Sequence, residues 1–385
     1  MVAMTAHKKA TANDGGRNDA PKGDAAEPIA AISFVRASDE HLESGGVDTQ
    51  RLLNAGMQDA GTFDLPAYGF LSHLYLLVEA TAGAGTGAVL TEDGPFNVLQ
   101  NIALTEPNGS FIVQFTSGWQ LMMAQKYGGY LHPLAADPKR SPAWSTVTAA
   151  GNFSFLLRVP VSVSGRDAVG SLPNQDSAGQ FKFRFMLAPS TTLFSTPPST
   201  TLPTVRVRAW TEAWDQPEPT SAGVPNVVEP PASGTTSFWS VQSGIQINAG
   251  ENNVDIKRKG NYVRQWIFVL RTSGSRATGE GNWPLETRFM RDAFPARYYN
   301  NLVWQHKMFE KTGYTGTKDT AGALENGVRF HDYMHEFDGL LGREFRDLWQ
   351  PTRGSTRVEL AGNFGAGSTL DILTNDIAIT EEVAA

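Results

Sequence analysis

The stretch VLTEDGPFNVLQNIALTEPNGSFIVQFTSGWQL, residues 89–121, decides the fold class of this chain. It contains two segments, NVLQNIALTE (97–106) and SFIVQFTS (110–117), rich in the branched and aromatic residues that favour strands. Pro107-Asn108-Gly109 separates them, and an Asn-Gly pair between two apolar runs is a strong hairpin signal. The stretch therefore predicts a β-hairpin.

The segments around this hairpin also have strand patterns. FLSHLYLLVEAT (70–81) is apolar enough for a buried strand. In FSFLLRVPVSVS (153–164), QFKFRFML (180–187) and TVRVRAW (204–210), apolar residues occupy every second position. A period of two is typical of a strand with one buried face. Pro160 within the first of these three segments predicts an edge strand or a bulge, because proline cannot donate to a neighbouring strand.

The second half of the chain repeats this organisation after a proline-rich segment, residues 215–236. Its strand-like segments are SFWSVQSGIQINA (237–249), NYVRQWIFVLRT (261–272), TRVELAG (356–362) and STLDILTNDIAI (368–379). Two β blocks of similar size, joined by a stiff linker, predict a duplicated β-sandwich.

Four segments have helical patterns. SGWQLMMAQKYGG (117–129) predicts a short helix capped by its serine and ended by its glycines. Apolar residues at three- and four-residue steps predict a longer helix near 328–349. A proline suited to a first turn suggests another helix at 284–293, and 46–58 is predicted as one short helix.

Composition excludes several classes of protein. The 385 residues include no cysteine, so disulfides, thiolate catalysis and cysteine-ligated zinc are excluded. The formal charge of −7 argues against a surface that coats DNA. The sequence contains no apolar run long enough to span a bilayer and no secretory signal. Residues 1–30 contain few large apolar side chains and are predicted to be a disordered arm.

Candidate chemical sites are few. His331 and His335 are four residues apart on the predicted helix, with His306 upstream, and this spacing is compatible with one metal ion; hydrogen-bonded or solvated histidines are the alternative. Gly83-Ala84-Gly85-Thr86-Gly87 resembles part of a phosphate-binding loop, but the glycines lead into another strand rather than a helix. The sequence therefore assigns no catalytic, cofactor-binding or metal residue and predicts no cofactor.

The stretch from Leu90 to Gln125 resembles the first jelly roll of tectivirus-type major capsid proteins. The resemblance rests on the turn Asp93-Gly94-Pro95, the strand and polar hairpin after it, and the element Thr116 to Trp119. It implies an all-β fold with a few short helices, a double jelly roll of two eight-stranded β-sandwiches per chain. It also implies a homotrimer that tiles a virion capsid around an internal membrane and a double-stranded DNA genome.

These expectations divide the chain into an N-terminal arm (1–60, disordered or extended), a first jelly roll (61–214), the linker (215–236) and a second jelly roll (237–385). The resemblance implies no enzyme activity and no direct nucleic acid contact. The expected partners are other copies of the chain, vertex and minor capsid proteins, and the internal membrane through the arm. The expected location is the virion capsid, and the host cytoplasm during assembly.

Two alternatives remain open at this level. Jelly rolls with exposed tryptophans bind carbohydrates or receptors, and Trp144, Trp210, Trp214 and Trp239 are the candidate platforms. A glycoside hydrolase on the same scaffold would need a cleft with two carboxylates roughly 5 to 9.5 Å apart.

Overall fold

The computed structural model describes the chain at residues 32–130, 138–163, 168–217, 220–221, 224–225, 228–229, 235–277, 280–292, 294–314, 325–334 and 349–378. The arm predicted at 1–30, the predicted helical residues 335–348 and parts of the proline-rich segment lie outside these ranges. The architecture below refers to the described residues.

The first half of the chain contributes eight long strands. They are β1 (Glu40–Leu52), β2 (Gln58–Asp64), β3 (Phe70–Thr81), β4 (Leu99–Thr105), β5 (Phe111–Ser117), β6 (Phe153–Pro160), β7 (Lys182–Leu187) and β8 (Thr204–Trp214). One sheet has the order β1-β8-β3-β6, and the facing sheet has the order β2-β7-β4-β5. The predicted hairpin is β4 and β5, which pair antiparallel. Because β1 begins at Glu40, the first sandwich starts before residue 61.

The second half contributes eight strands in the same arrangement. They are β9 (Thr236–Ile247), β10 (Gly250–Asp255), β11 (Tyr262–Thr272), β12 (Glu286–Arg291), β13 (Phe294–Asn300), β14 (Val328–Asp332), β15 (Val358–Phe364) and β16 (Ser368–Ala378). Their orders are β9-β16-β11-β14 and β10-β15-β12-β13. In both halves, strands one, eight, three and six form one sheet, and strands two, seven, four and five form the other. This repeated order confirms the predicted double jelly roll.

The period-two patterns are confirmed by burial. In β6 and the residues after it, Phe153, Phe155, Leu157, Val159 and Val161 are all buried. β7 and β8 likewise alternate between buried apolar residues and more exposed charged ones. Pro160 ends β6, the last strand of its sheet, as predicted for an edge position.

Four helices are present among the described residues: α1 (Phe34–Ala37), α2 (Gly118–Tyr127), α3 (Ser190–Leu193) and α4 (Asn301–Thr312). The predicted helix at 117–129 is confirmed as α2, and the Ser117 hydroxyl accepts a hydrogen bond from the Gln120 amide. None of the described helices is both long and apolar enough to cross a bilayer.

Three predicted helices are wrong where the structure describes them. Residues 46–52 belong to β1, the core of 284–293 is β12, and 328–332 is β14. Each segment pairs with a distant strand, and these sheet contacts override its local helical pattern. All five residues of β14 are buried, although three of them, Arg329, His331 and Asp332, are polar. The three- and four-residue spacing that predicted a helix is carried mainly by residues after 332.

Helix α4 was missed in the sequence, although its ends carry ordinary signals. The Asn300 side chain accepts a hydrogen bond from the Leu302 amide at 3.1 Å, and Gly313 ends the helix at a φ of 65°. Both residue types are typical of these positions.

The remaining elements are short. The two- and three-residue strands are Ile32–Ser33, Val89–Leu90, Leu172–Pro173, Phe194–Thr196, Thr220–Ser221, Val224–Pro225, Val228–Glu229, Ser275–Arg276 and Gln350–Pro351. Single 3-10 turns occupy Phe96–Val98, Pro138–Arg140 and Glu280–Asn282.

Candidate functional site

The two sandwiches of the chain share one sheet. β5 of the first sandwich pairs in parallel with β9 of the second, with Val113 opposite Trp239. The inner faces of both sandwiches belong to one continuous cluster of buried apolar residues. The sandwiches are therefore joined by backbone hydrogen bonding and by a common core. We call this contact region between the two sandwiches the junction. It distinguishes this chain from two independent domains and is the candidate functional site.

Carboxylates from the quoted stretch contact arginines of the second sandwich. Arg271 donates hydrogen bonds to Glu92 at 3.0 Å and to Asp93 at 2.6 Å. The Arg276 Nε lies 2.9 Å from Asp93 Oδ1, and the Arg276 backbone amide donates to Glu92 at 2.6 Å. Arg276 is buried and the other three side chains are partly buried, so these charge-assisted contacts fix the turn of the first sandwich against the second.

Trp119 lies directly beside these ion pairs. Its indole is fully buried, and the guanidinium carbons of Arg271 and Arg276 lie 5.4 and 5.1 Å from its ring centroid. Burial lowers the pKa of Arg276, while the negative charges of Asp93 and Glu92 oppose that effect. Trp119 lies far from Glu92 and Asp93 within residues 89–121, but all three side chains contact the same two arginines.

Helix α2 fills the space between the sandwiches. Every residue of this helix except Lys126 is buried. The Tyr127 ring stacks on Phe330 of β14 at 4.5 Å, and Gln265 of β11 donates a hydrogen bond to the Tyr127 carbonyl at 2.6 Å. Lys126 forms an ion pair with Glu325. The burial of Tyr127 raises its pKa well above the ordinary value.

A second buried tryptophan, Trp239, lies on β9 at the shared sheet. Its ring contacts Phe115 of β5 at 5.7 Å, and its Nε1 donates to the Tyr130 hydroxyl at 3.4 Å. Arg264 of β11 lies over the Tyr130 ring. The junction therefore contains two groups of aromatic and cationic side chains, one around Trp119 and one around Trp239.

His331 and His306, two of the histidines considered for a metal site, have different environments and do not form a common set of metal ligands. His331 is buried in β14 and lies 3.2 Å from the Tyr299 hydroxyl, whereas His306 is exposed on α4 beside Glu310. His335 lies outside the described residues. In the described part of the chain, no group of three or more His, Asp or Glu side chains is placed to hold a metal ion.

The glycine-rich loop at 83–87 packs against its own chain. The Gly83 amide donates to the Asn152 side chain at 2.8 Å, and the Thr86 amide donates to the Ser199 hydroxyl at 3.0 Å. The Ala84 amide donates to the Thr201 carbonyl. These amides are the groups that a phosphate-binding loop would offer to its ligand, and here they stabilise the turn instead.

The four candidate tryptophan platforms do not form an exposed row. Trp214 and Trp239 are buried in the core. Trp144 packs against Phe96 at 5.8 Å, and Trp210 lies beneath the Arg208 guanidinium. A sugar-binding platform needs aromatic faces open to solvent, so this arrangement does not support the carbohydrate-binding alternative.

Buried His331 predicts a specific dependence of stability on pH. Burial lowers its pKa from 6.5 to about 3, so the imidazole stays neutral in the folded chain while it binds a proton in the unfolded chain below pH 6.5. The contribution of neutral His331 to the free energy of unfolding is therefore fully present above pH 6.5 and is lost as the pH falls toward about 3. We expect the difference in unfolding free energy between the wild type and His331→Gln to shrink over this window in denaturant titrations. An unchanged difference would contradict the assignment.

Comparisons with known proteins agree with this architecture. No protein-family model matches the sequence, and no curated protein matches it. Among solved structures, the chain is similar to the STIV MCP, with a TM-score of 0.61 and 11% identity over 90% of this chain and 98% of that chain. A structure of Sulfolobus turreted icosahedral virus is similar with a TM-score of 0.59 and 11% identity, covering 90% of this chain and 93% of that chain.

Two further solved structures are similar over most of their length. The major capsid protein P2 from bacteriophage PM2 has a TM-score of 0.54 and 9% identity, covering 89% of this chain and 98% of that chain. The PBCV-1 virus capsid has a TM-score of 0.56 and 10% identity, covering 88% and 94%. The chain therefore has the fold of double jelly-roll major capsid proteins, with both sandwiches included in the match.

Proposed function

We propose that this chain is a structural major capsid protein that assembles with other copies of itself into an icosahedral shell. The single observation that carries the proposal is the junction between the sandwiches, where Trp119, Glu92 and Asp93 meet Arg271 and Arg276. A buried junction of this kind holds two similar β-sandwiches in one fixed orientation. The likeness to capsid proteins over nearly the whole chain supports the same role.

The proposed building unit is a homotrimer. Three copies supply six similar sandwiches, so a molecule with three-fold symmetry presents a nearly hexagonal outline. Such a tile fills six-fold positions of a lattice without a change of fold. This requires each pair of sandwiches to behave as one rigid body, which the shared sheet and continuous core support.

The wider assembly is part of the same proposal. The shell would enclose an internal membrane and a double-stranded DNA genome, and vertex and minor capsid proteins would join it. The net charge of −7 supports a shell that does not contact nucleic acid directly. The N-terminal arm is proposed to extend to the membrane or to neighbouring subunits, and the proline-rich segment 215–236 to connect the sandwiches. The role is structural and needs no catalytic residue.

The native mass of the purified chain tests the proposed unit. One copy has a mass of 41.7 kDa, so a trimer has a mass of about 125 kDa. We expect light scattering and native mass spectrometry to give this value and to retain it on dilution. A stable monomer at all concentrations would contradict the proposed function.

A further inference from the structure

The chain contains the pair Asn-Gly twice, at Asn108-Gly109 and at Asn326-Gly327. This pair has a particular chemistry, because the backbone nitrogen of the glycine can attack the side-chain carbonyl carbon, Cγ, of the asparagine before it. A glycine allows this approach because it has no Cβ beside that nitrogen. The structure places the two pairs in opposite surroundings.

Asn108-Gly109 lies at the tip of the hairpin that joins β4 and β5. The Gly109 amide donates a hydrogen bond to the Glu106 carbonyl, and the Glu106 amide donates to the Ser110 carbonyl, both at 2.9 Å. Gly109 has a φ of 88°, as in a three-residue hairpin loop that ends in a left-handed glycine. Residues 107–110 are exposed. Apart from its chain neighbours, no described atom lies within 4 Å of the place where Gly109 would carry a Cβ, so the tip is open to water.

The side chain of Asn108 is held in a position that favours attack on its Cγ. Its Oδ1 accepts a hydrogen bond from the Ser110 amide at 2.7 Å, and its Nδ2 donates to the Glu106 carboxylate at 2.8 Å. Negative charge develops on Oδ1 when a nucleophile adds to Cγ, so the Ser110 amide stabilises that step as an oxyanion hole does. The hydrogen bond that the Gly109 amide donates opposes the attack, but exposed turns of this kind open readily.

Asn326-Gly327 is enclosed by the second sandwich. Asn326 is only 4% exposed. The place where Gly327 would carry a Cβ lies 2.6 Å from the Leu270 carbonyl oxygen and 2.9 Å from the Ala277 backbone nitrogen. Gly327 directly precedes β14, all of whose residues are buried. This packing leaves no room for the rearrangement, so the pair reacts only when the local structure opens.

Asn54 supplies a third position that isolates the effect of the following residue. Its Oδ1 accepts a hydrogen bond from the Gly56 amide at 2.8 Å, the same contact two residues ahead that Asn108 makes with Ser110. Asn54 is also exposed. Ala55 follows it, however, and the Cβ of an alanine hinders the approach of its nitrogen. Asn54 therefore matches Asn108 in exposure and side-chain contact and differs in the residue after it.

We propose that Asn108 is a site of spontaneous deamidation, at which the folded chain acquires a new negative charge as it ages. The Gly109 nitrogen loses its proton to hydroxide and bonds to Cγ of Asn108. The Cγ–Nδ2 bond breaks, and ammonia leaves after it takes up a proton from water. One water molecule then opens the resulting succinimide ring, which gives aspartate when one carbonyl is attacked and isoaspartate when the other is. The reaction needs only water and hydroxide.

The products change the contacts at the hairpin tip. The new carboxylate at position 108 faces the Glu106 carboxylate where a hydrogen bond of 2.8 Å stood before, and like charges repel. Isoaspartate also inserts a methylene group into the main chain within the turn. Both changes weaken the tip of the hairpin whose strand β5 leads into α2. The inference does not depend on the proposed capsid function.

Incubation of the folded chain in heavy-oxygen water, followed by peptide mapping with mass spectrometry, tests the proposal, because ring opening inserts the oxygen of water. We expect Asn108 to react at least about tenfold faster than Asn54 or Asn326. Its rate should rise with pH, because hydroxide removes the Gly109 proton. In the chain unfolded in guanidinium chloride, Asn326 should react as fast as Asn108 while Asn54 stays slow, which separates the effect of burial from that of the following residue.

The matched variants are Asn108→Gln and Asn54→Gln, both at exposed positions. Glutamine keeps the side-chain amide but is one methylene longer, so the five-membered ring cannot form. Asn108→Gln should abolish the acidic form that accumulates on anion-exchange chromatography, and Asn54→Gln should leave it unchanged. A rate at Asn54 or Asn326 equal to that at Asn108 in the folded chain would overturn the proposal. So would the absence of reaction at Asn108 there.

Discussion

Replacement of Trp119 by alanine is expected to lower the free energy of unfolding by about 3–5 kcal/mol, the range for removing a large aromatic side chain from a packed core. The indole is fully buried between the sandwiches and lies beside both Arg271 and Arg276. Its loss would leave a cavity, and it would leave the buried Arg276 and the partly buried Arg271 without their aromatic partner. Equilibrium unfolding in urea measures the effect.

The matched control for Trp119→Ala is Trp210→Ala. Trp210 lies on the outer face of β8, only partly buried, and contacts Arg208. We expect a clearly smaller loss of stability there, because water already reaches this side chain. If both variants lost equal stability, the junction would have no special role in holding the sandwiches together. Native mass measurements on Trp119→Ala should also show a weakened trimer, since the rigid pair of sandwiches is what assembles.

The second large effect is expected for Arg276→Met. The Arg276 side chain is 1% exposed and contacts both Glu92 and Asp93. Removing one partner of a buried ion pair leaves uncompensated charge in the interior and costs about 3–5 kcal/mol. Asp93→Asn and the double variant complete a cycle of unfolding free energies. The loss in the double variant should be smaller than the sum of the two single losses, because the two groups interact.

The control for this cycle is Arg206→Met. Arg206 forms an ion pair with Asp48 across β8 and β1, and both side chains are well exposed. Water and salt screen such a pair, so its unfolding midpoint should change little. Additive losses for Arg276 and Asp93 would contradict a direct interaction between them.

Local features of the fold were predictable from the sequence. The Asn-Gly hairpin at 97–117 and helix α2 involve contacts between residues close in the chain, and their turn and cap residues identify them. The period-two segments around Phe155, Phe183 and Val207 indicate one-faced burial directly. Two β blocks joined by a proline-rich segment indicated a duplicated sandwich.

The errors fall where local pattern and sheet pairing disagree. The segments at 46–58, 284–293 and 328–332 have helical patterns but lie in strands β1, β12 and β14. Segment 328–332 pairs with β11, some sixty residues earlier, and is buried on both faces. The segment alternates apolar and polar residues over only five positions, and the helical spacing of the residues that follow it outweighed this short signal.

The candidate site was also predictable only in part from the sequence. The stretch 89–121 was identifiable by its Asp-Gly-Pro turn and Ser-Gly-Trp element, but their contacts were not. Arg271 and Arg276 lie more than 150 residues from Glu92, Asp93 and Trp119, and no local pattern links them. By itself the sequence determined the strands with a clear period of two, the hairpin and α2, because period and turn chemistry act over a few residues. Only the tertiary structure decided the strand order and the junction, because those depend on which distant segments exclude water from one another.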